Sequence, residues 1–141
     1  MMNKTTIIAE AGVNHNGTLA LANKLIDQAS NANVDFIKFQ FFKTEDVISK
    51  IAPKAEYQKI NNQDNQSQFD MVKKLELSEK SYLKIIKYCK KRKINFFSTA
   101  FDVSSFNFLK KHGQNICKVP SGEINNLPFL RFLGSQKLPI I

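Results

Sequence analysis

The sequence has no tryptophan, two cysteines, and 12 acidic residues against 21 basic ones. Cys89 falls in a helical pattern and Cys117 in a strand pattern. With no secretory segment, the pair is expected as reduced, buried thiols, which excludes a disulfide-stapled domain. There are two histidines and they form no H-x-x-x-H pair, no Cys/His cluster occurs, and the five glycines make no Walker-type loop. Zincin, zinc-ribbon and P-loop chemistries are thereby excluded, and no metal ligand is assigned; His15 alone is not a metal site. No apolar run is long enough to span a bilayer, and the opening MMNKTTIIAEAG is too short for a signal peptide. The expectation is a soluble, cytoplasmic protein without membrane contact.

What is present is one domain's worth of chain, 141 residues with 43% hydrophobic content, enough to bury a core. A net charge of +9 raises the question of nucleic acid, which needs basic residues gathered on one face with aromatics between them. The densest basic run, Lys87 to Lys93, sits instead at the end of an expected helix, where cations complement the macrodipole. No nucleic-acid partner is expected.

The hydrophobic period alternates between that of strand and that of helix. Residues 5 to 11 form a compact apolar run, followed by Leu19, Ala22, Leu25, Ile26 and Ala29 at helical spacing. Phe36 to Phe42 is a second strand, and a helix over residues 76–92 has Ser78 as its N-cap. A third strand, Asn95 to Phe101, leads to a helix over Ser104 to His112 that Gly113 ends. A fourth, Ile116 to Val119, precedes a short helix capped by Asn126 with Pro128 in its first turn. The closing KLPII reads as the start of a fifth strand. Strand-helix repeats with apolar strands make an α/β fold with a parallel sheet, either doubly wound or a (β/α) barrel of TIM type. The long polar stretch Lys43 to Gln68, which contains Pro53, interrupts this regularity and reads as a functional insertion.

In such folds the C-terminal strand ends face one crevice. Here those ends are polar. The first strand delivers Glu10 and a turn of Asn14, His15, Asn16 and Gly17, whose main expected role is to lead the chain into the first helix. On the second, side-chain alternation puts Lys38 and Gln40 on one face and Ile37, Phe39 and Phe41 on the other. The third ends in Ser98, Thr99 and then Asp102, and the fourth carries Lys118 before Pro120, Ser121, Gly122 and Glu123. Two lysines within apolar strands, with the hydroxyls of Thr99 and Ser121, suit a phosphate or carboxylate. Glu10 and Glu123 stand at the rim as candidate acid/base groups or as ion-pair partners of Lys38 and Lys118, and the two roles are compatible.

The ordered series IIAEAGVNHNG, DFIKFQFFK, KKLELS, FFSTAFD and KVPSGEINNLPFL closely resembles the N-terminal half of the sialic acid synthase family, from about Thr5 to Ile141. The resemblance implies a (β/α)8 barrel followed by a small antifreeze-like domain. It implies condensation of phosphoenolpyruvate with an N-acetylated hexosamine, such as N-acetylmannosamine or a legionaminate precursor, with release of phosphate. By motif, Glu10 is similar to the family's acid/base glutamate, and Lys38 and Gln40 to its substrate contacts. Thr99, Lys118 and Ser121 match residues that hold phosphate, and Glu123 matches a second acid beside the reacting carbons. Ala100 stands where the family usually has proline, and Asn33, Val34 and Asp35 where it has Gly-Ala-Asp. The chain is expected to be an incomplete barrel of about four strand-helix units plus the start of a fifth strand. On that reading the C-terminal half-barrel, the antifreeze-like domain and the ligands of a manganese or magnesium ion lie outside it. The complete enzyme is expected as a homodimer and the fragment alone as inactive. The alternatives are a truncated or split product without activity of its own and an anion-binding module.

Overall fold

The computed structural model describes residues 5–52 and 67–141. Pro53 and most of the expected insertion lie outside the described residues.

The first three strands form where the alternating and apolar runs place them: β1 (Ile8–Gly12), β2 (Phe36–Phe41) and β3 (Asn95–Ala100). They pair in parallel in the order β1-β2-β3, with Glu10 opposite Lys38 and Gln40 opposite Thr99. Parallel neighbours need a crossover, and helices supply it. The helix α1 (Leu19–Asn31) joins β1 to β2, and α4 (Glu79–Lys91) leads into β3. Between β2 and α4 lie the short helices α2 (Thr44–Val47) and α3 (Gln68–Lys73). After β3 come α5 (Val103–Lys111), a single 3-10 turn (Ser121–Glu123) and α6 (Leu127–Ser135).

The caps are where the residue types favour them. Thr18, Ser78, Asp102 and Asn126 each accept a hydrogen bond from a backbone N–H in the first turn of the helix that follows. Asp102 therefore caps α5, which begins at Val103, one residue before the expected start at Ser104.

The two faces of the sheet differ in chemistry. Ile37, Phe39 and Phe41 are buried beneath the helices. Ala22 and Ile26 of α1 and Ile85 and Cys89 of α4 pack with Ile37 and Phe39, while Phe106, Leu109, Phe129 and Leu133 of α5 and α6 gather around Phe41. By register the opposite face carries Ile8, Phe36 and Phe97 near the strand starts, then Glu10, Lys38, Gln40 and Thr99 toward the ends. That face runs from apolar to polar along the strand direction.

Both cysteines are buried and free. Burial pushes the Cys89 thiol up to about 12 and also raises Cys117, which leaves both inert at neutral pH. Among the described residues no helix is long and apolar enough to cross a membrane.

The expected fourth strand, Ile116 to Val119, is not a strand of this sheet. Residue 117 makes one isolated parallel bridge, to Ile140. The backbone N–H groups of Cys117 and Val119 donate to the carbonyls of Pro139 and Ile141, so the segment pairs with the closing residues. At Ser98 of β3 a side chain stands where a strand could pair. The Gln114 amide accepts from the Ser98 N–H at 2.7 Å and donates to the Ser98 carbonyl at 2.9 Å, occupying the backbone groups a neighbouring strand would use.

Candidate active site

Glu10 reaches the site through an irregularity in β1. The β1–β2 register shifts between Glu10 and Gly12, so that Ala11 is the extra residue of a bulge. Bulges re-aim side chains, and glycine accommodates the left-handed φ of +52° at residue 12. A Cβ on Gly12 would stand 3.0 Å from Glu10 Oε1 and 3.7 Å from Gln40 Nε2, so the backbone here passes close beside two candidate groups.

The carboxylate of Glu10 forms an ion pair with Lys38, whose Nζ also lies 3.4 Å from Thr99 Oγ1. The Lys38 side chain is 13% exposed and that of Glu10 50%, so the cation is sheltered while the carboxylate stays open to an incoming group. Lys118 comes from beyond β3 and donates to the Val119 carbonyl at 2.6 Å, which leaves two of its three donors for other partners. Glu10, Lys38, Gln40, Thr99, Lys118 and Ser121 line one cavity of about 350 Å³, together with Gly12 and Asn14. Two cations, two hydroxyls and one carboxylate there leave a surplus of positive charge, suited to a small polyanion.

Glu123 sits apart from this group. It lines a second cavity, of about 320 Å³, and accepts a hydrogen bond from Asn126 Nδ2 at 2.7 Å. Lys118 is hydrogen-bonded to backbone, so the expected Glu123–Lys118 pair is not what holds either group, whereas the Glu10–Lys38 pair is present. The two cavities adjoin, since Val13, Gln40 and Phe101 line both.

Other polar residues at the strand ends turn elsewhere. Ser98 points to the helix side, where its hydroxyl shares a short hydrogen bond with Tyr82 in the core. His15 is fully buried in the turn after β1, and its Nδ1 accepts from the Gly17 N–H at 3.0 Å. That bond fixes the neutral tautomer with the proton on Nε2, and desolvation lowers the pKa and so keeps the ring uncharged. Asn16 and Gly17 take left-handed backbone, and Thr18 then caps α1. This turn does chiefly the work of entering the helix, although Asn14 also reaches the cavity wall.

Sequence reasoning missed the walls of the second cavity. Val47 and Ile48 at the end of α2, and Val72 and Leu75 at α3, lie in or beside a polar stretch whose period gives no signal. Phe42 was readable only as part of the second strand. Gly12 was also missed, although a glycine late in a strand is the usual mark of a bulge.

The NeuB family profile matches residues 25–141. The chain is 49% identical over 140 residues to the N,N'-diacetyllegionaminic acid synthase of Campylobacter jejuni, covering 99% of this chain and 42% of that protein. It is 46% identical over 135 residues to the synthase of the same name from Legionella pneumophila, covering 96% of this chain and 38% of that one. Among solved structures, the N-acetylneuraminic acid synthetase of Leptospira borgpetersenii in complex with citrate superposes with a TM-score of 0.80 at 34% identity, over 98% of this chain and 44% of that one. The chain thus spans about two-fifths of the length of the curated relatives it matches. With the fold match running nearly end to end and the profile covering most of its residues, the chain belongs to the NeuB family.

Proposed function

We propose that this chain forms the phosphoenolpyruvate-binding part of a nonulosonate synthase, which joins phosphoenolpyruvate to an N-acetylated amino sugar and releases phosphate. The three-stranded sheet is read as the opening of a (β/α)8 barrel whose remainder completes the site in the whole protein. The reading rests on one observation: Lys38, Thr99, Lys118 and Ser121, from four separate stretches of sequence, line a single cavity with Glu10. The names of the relatives support a sugar-acid product, and the complex of the Leptospira synthetase with citrate, a small polyanion, is in keeping with a site of this charge.

In the proposed reaction the phosphate and carboxylate of phosphoenolpyruvate lie between the Lys38 and Lys118 ammonium groups, with the Thr99 and Ser121 hydroxyls donating to phosphate oxygens. The methylene carbon attacks the aldehyde of the open-chain sugar, forming the new C–C bond as the C=O π bond opens and its oxygen takes a proton from solvent water. The neighbouring carbon, now electron-poor, is attacked by water. Glu10 is the base for that water: its pairing with Lys38 is made by the ionised form, the one able to accept a proton. Collapse of the resulting tetrahedral carbon breaks its bond to the phosphate oxygen, the departing phosphate takes the hydroxyl proton, and the keto group remains. Lys118 stabilises the leaving dianion. Among the described residues no three His, Cys, Asp or Glu side chains converge, so they do not make a centre for the divalent metal that the resemblance implies.

Phosphate release from phosphoenolpyruvate and N-acetylmannosamine, measured with the full-length protein carrying this chain, tests the reading. Lys118→Ala should lower the rate about 10²–10³-fold. A variant that keeps the parental rate would remove Lys118 from the site and the reading with it.

A further inference from the structure

The Gln114 amide does more than occupy the backbone groups of Ser98. Its Oε1 accepts from the Ser98 N–H at 2.7 Å, and its Nε2 donates both to the Ser98 carbonyl at 2.9 Å and to the Ile116 carbonyl at 2.9 Å. A primary amide has a carbonyl and an N–H like a peptide group, and here it bonds to one backbone on each side. Those two backbones bear the groups that face the anion cavity: Thr99 follows Ser98 directly, and Lys118 stands two residues beyond Ile116. The backbone of residues 117–119 pairs with the closing residues, so among the described residues the hydrogen bonds from the β3 backbone to this segment run through Gln114. Ser98 is held from its other side by the hydroxyl contact with buried Tyr82, and Gln114 is anchored at the end of α5, its N–H donating to the Leu109 carbonyl at 3.1 Å.

We propose that Gln114 is a positioning residue that sets the span of the anion cavity, holding the Lys118 segment at a fixed distance from Thr99. It is not part of the cavity wall and acts through Ser98 and Ile116. An anion that must meet Thr99 and Lys118 at once tolerates little change in that span, because hydrogen bonds weaken steeply once donor and acceptor lose their distance and alignment. The proposal rests on the reading of this cavity as the phosphoenolpyruvate site.

The test uses the full-length protein. Gln114→Met keeps the length of the side chain and removes all of its hydrogen bonds. The KM for phosphoenolpyruvate should rise about tenfold while kcat changes less than about threefold. Tyr88→Phe, which breaks a hydrogen bond to Asp27 between α4 and α1, controls for general loosening and should lower the melting temperature at a parental KM. A second measurement needs no variant. Binding and clamp closure are reciprocally linked, so saturating phosphoenolpyruvate should slow hydrogen exchange of the Ser98 N–H about tenfold in the parent. The Ala32 N–H, bonded to the Gln28 carbonyl at the end of α1, should exchange as before. A parental KM in Gln114→Met, an equal rise in Tyr88→Phe, or Ser98 exchange indifferent to phosphoenolpyruvate would overturn the assignment; if Gln114→Met does not fold, the exchange measurement decides. Failure of the synthase reading gives a different result: the parent would release no phosphate from phosphoenolpyruvate and N-acetylmannosamine, while inorganic phosphate in place of phosphoenolpyruvate would still slow Ser98 exchange.

Discussion

Two lysine–carboxylate clusters near the strand ends show how similar groups take different parts. One joins α2 to α3. Glu76 Oε2 accepts from the Thr44 N–H at 2.9 Å, from the Thr44 hydroxyl at 2.7 Å and from Lys73 at 2.9 Å, while Lys73 also reaches Glu45 at 2.9 Å. Burial opposes ionisation of Glu76, but the bonds from Thr44 and Lys73 outweigh it and hold the carboxyl below its usual range. Its hydrogen bonds with Glu45 and Glu76 raise the Lys73 pKa. Each charged group in this cluster has a partner within it, with Lys73 serving both carboxylates and Thr44 adding two donors to Glu76. In the other cluster, Glu10 pairs with Lys38, the Thr99 hydroxyl is a long 3.4 Å away, and Lys118 leans on one carbonyl beside a cavity. A saturated cluster fastens structure, and an unsaturated one leaves donors for a ligand.

The sharpest way to break this comparison is to remove the lysine on the open side. Lys38→Met keeps the length of the side chain and deletes the charge. Phosphate release should fall about 10²–10³-fold. Thermal stability should change little, because the Glu10 carboxylate left behind is half exposed and water can solvate it. A large drop in melting temperature would mean that the open cluster is as structural as the fastened one.

That contrast was only partly legible in the sequence. Period-2 alternation in β2 identified the face bearing Lys38 and Gln40, because one residue decides which way its neighbours point. Ser78 and Asn126 could be named as caps, because a cap needs only the residues beside it. Asp102 reads as part of a strand end, although the same local rule makes it a cap. The fourth strand failed for a nonlocal reason. Ile116 to Val119 has strand composition, but the Ser98 backbone groups are taken by the Gln114 amide, and nothing near Gln114 announces that they will be. The second cavity was hidden because Val47 and Val72 lie 25 residues apart in sequence and come to one cavity wall where the Thr44–Glu76 and Lys73–Glu45 contacts join their helices.

On the fastened side the largest effect should come from Gly17→Ala. A Cβ there would lie 2.2 Å from the Lys74 carbonyl oxygen, and the φ of +72° is itself unfavourable for alanine. The turn after β1 and the end of α3 would have to separate. A loss of about 2–4 kcal/mol in chemical denaturation is expected, larger than the conformational cost alone. A loss near 1 kcal/mol would show that α3 gives way easily and that its fastening to α2 is weak.

Glu76→Gln tests the charge in that fastening without removing its shape. The folded protein holds this carboxyl below its unfolded value, so its contribution is fully present above the ordinary carboxylate pKa and is lost as pH falls through the lower folded one. At neutral pH the variant should be about 1–2 kcal/mol less stable than the parent. The gap should close as the solution is acidified, since protonated glutamic acid and glutamine are then equally uncharged. Denaturation curves of both proteins across the acid range would show it, and a gap that stays constant with pH would assign the loss to packing.

Gly12→Ala should have the smallest effect on stability and the most local one. The left-handed backbone at residue 12 costs alanine about 1 kcal/mol. The added Cβ would meet Glu10 Oε1 at 3.0 Å, a contact that a carboxylate can relieve by moving a few tenths of an ångström. That movement turns Glu10 away from the groups it shares with Lys38, while Lys118, Thr99 and Ser121 keep their places. Phosphoenolpyruvate affinity should therefore hold while turnover falls, a separation visible as a lower kcat with little change in KM. If KM rises and kcat stays, Glu10 helps to hold the anion and some other group moves the proton. The open cluster would then be a binding site alone, differing from its neighbour in occupancy but not in kind.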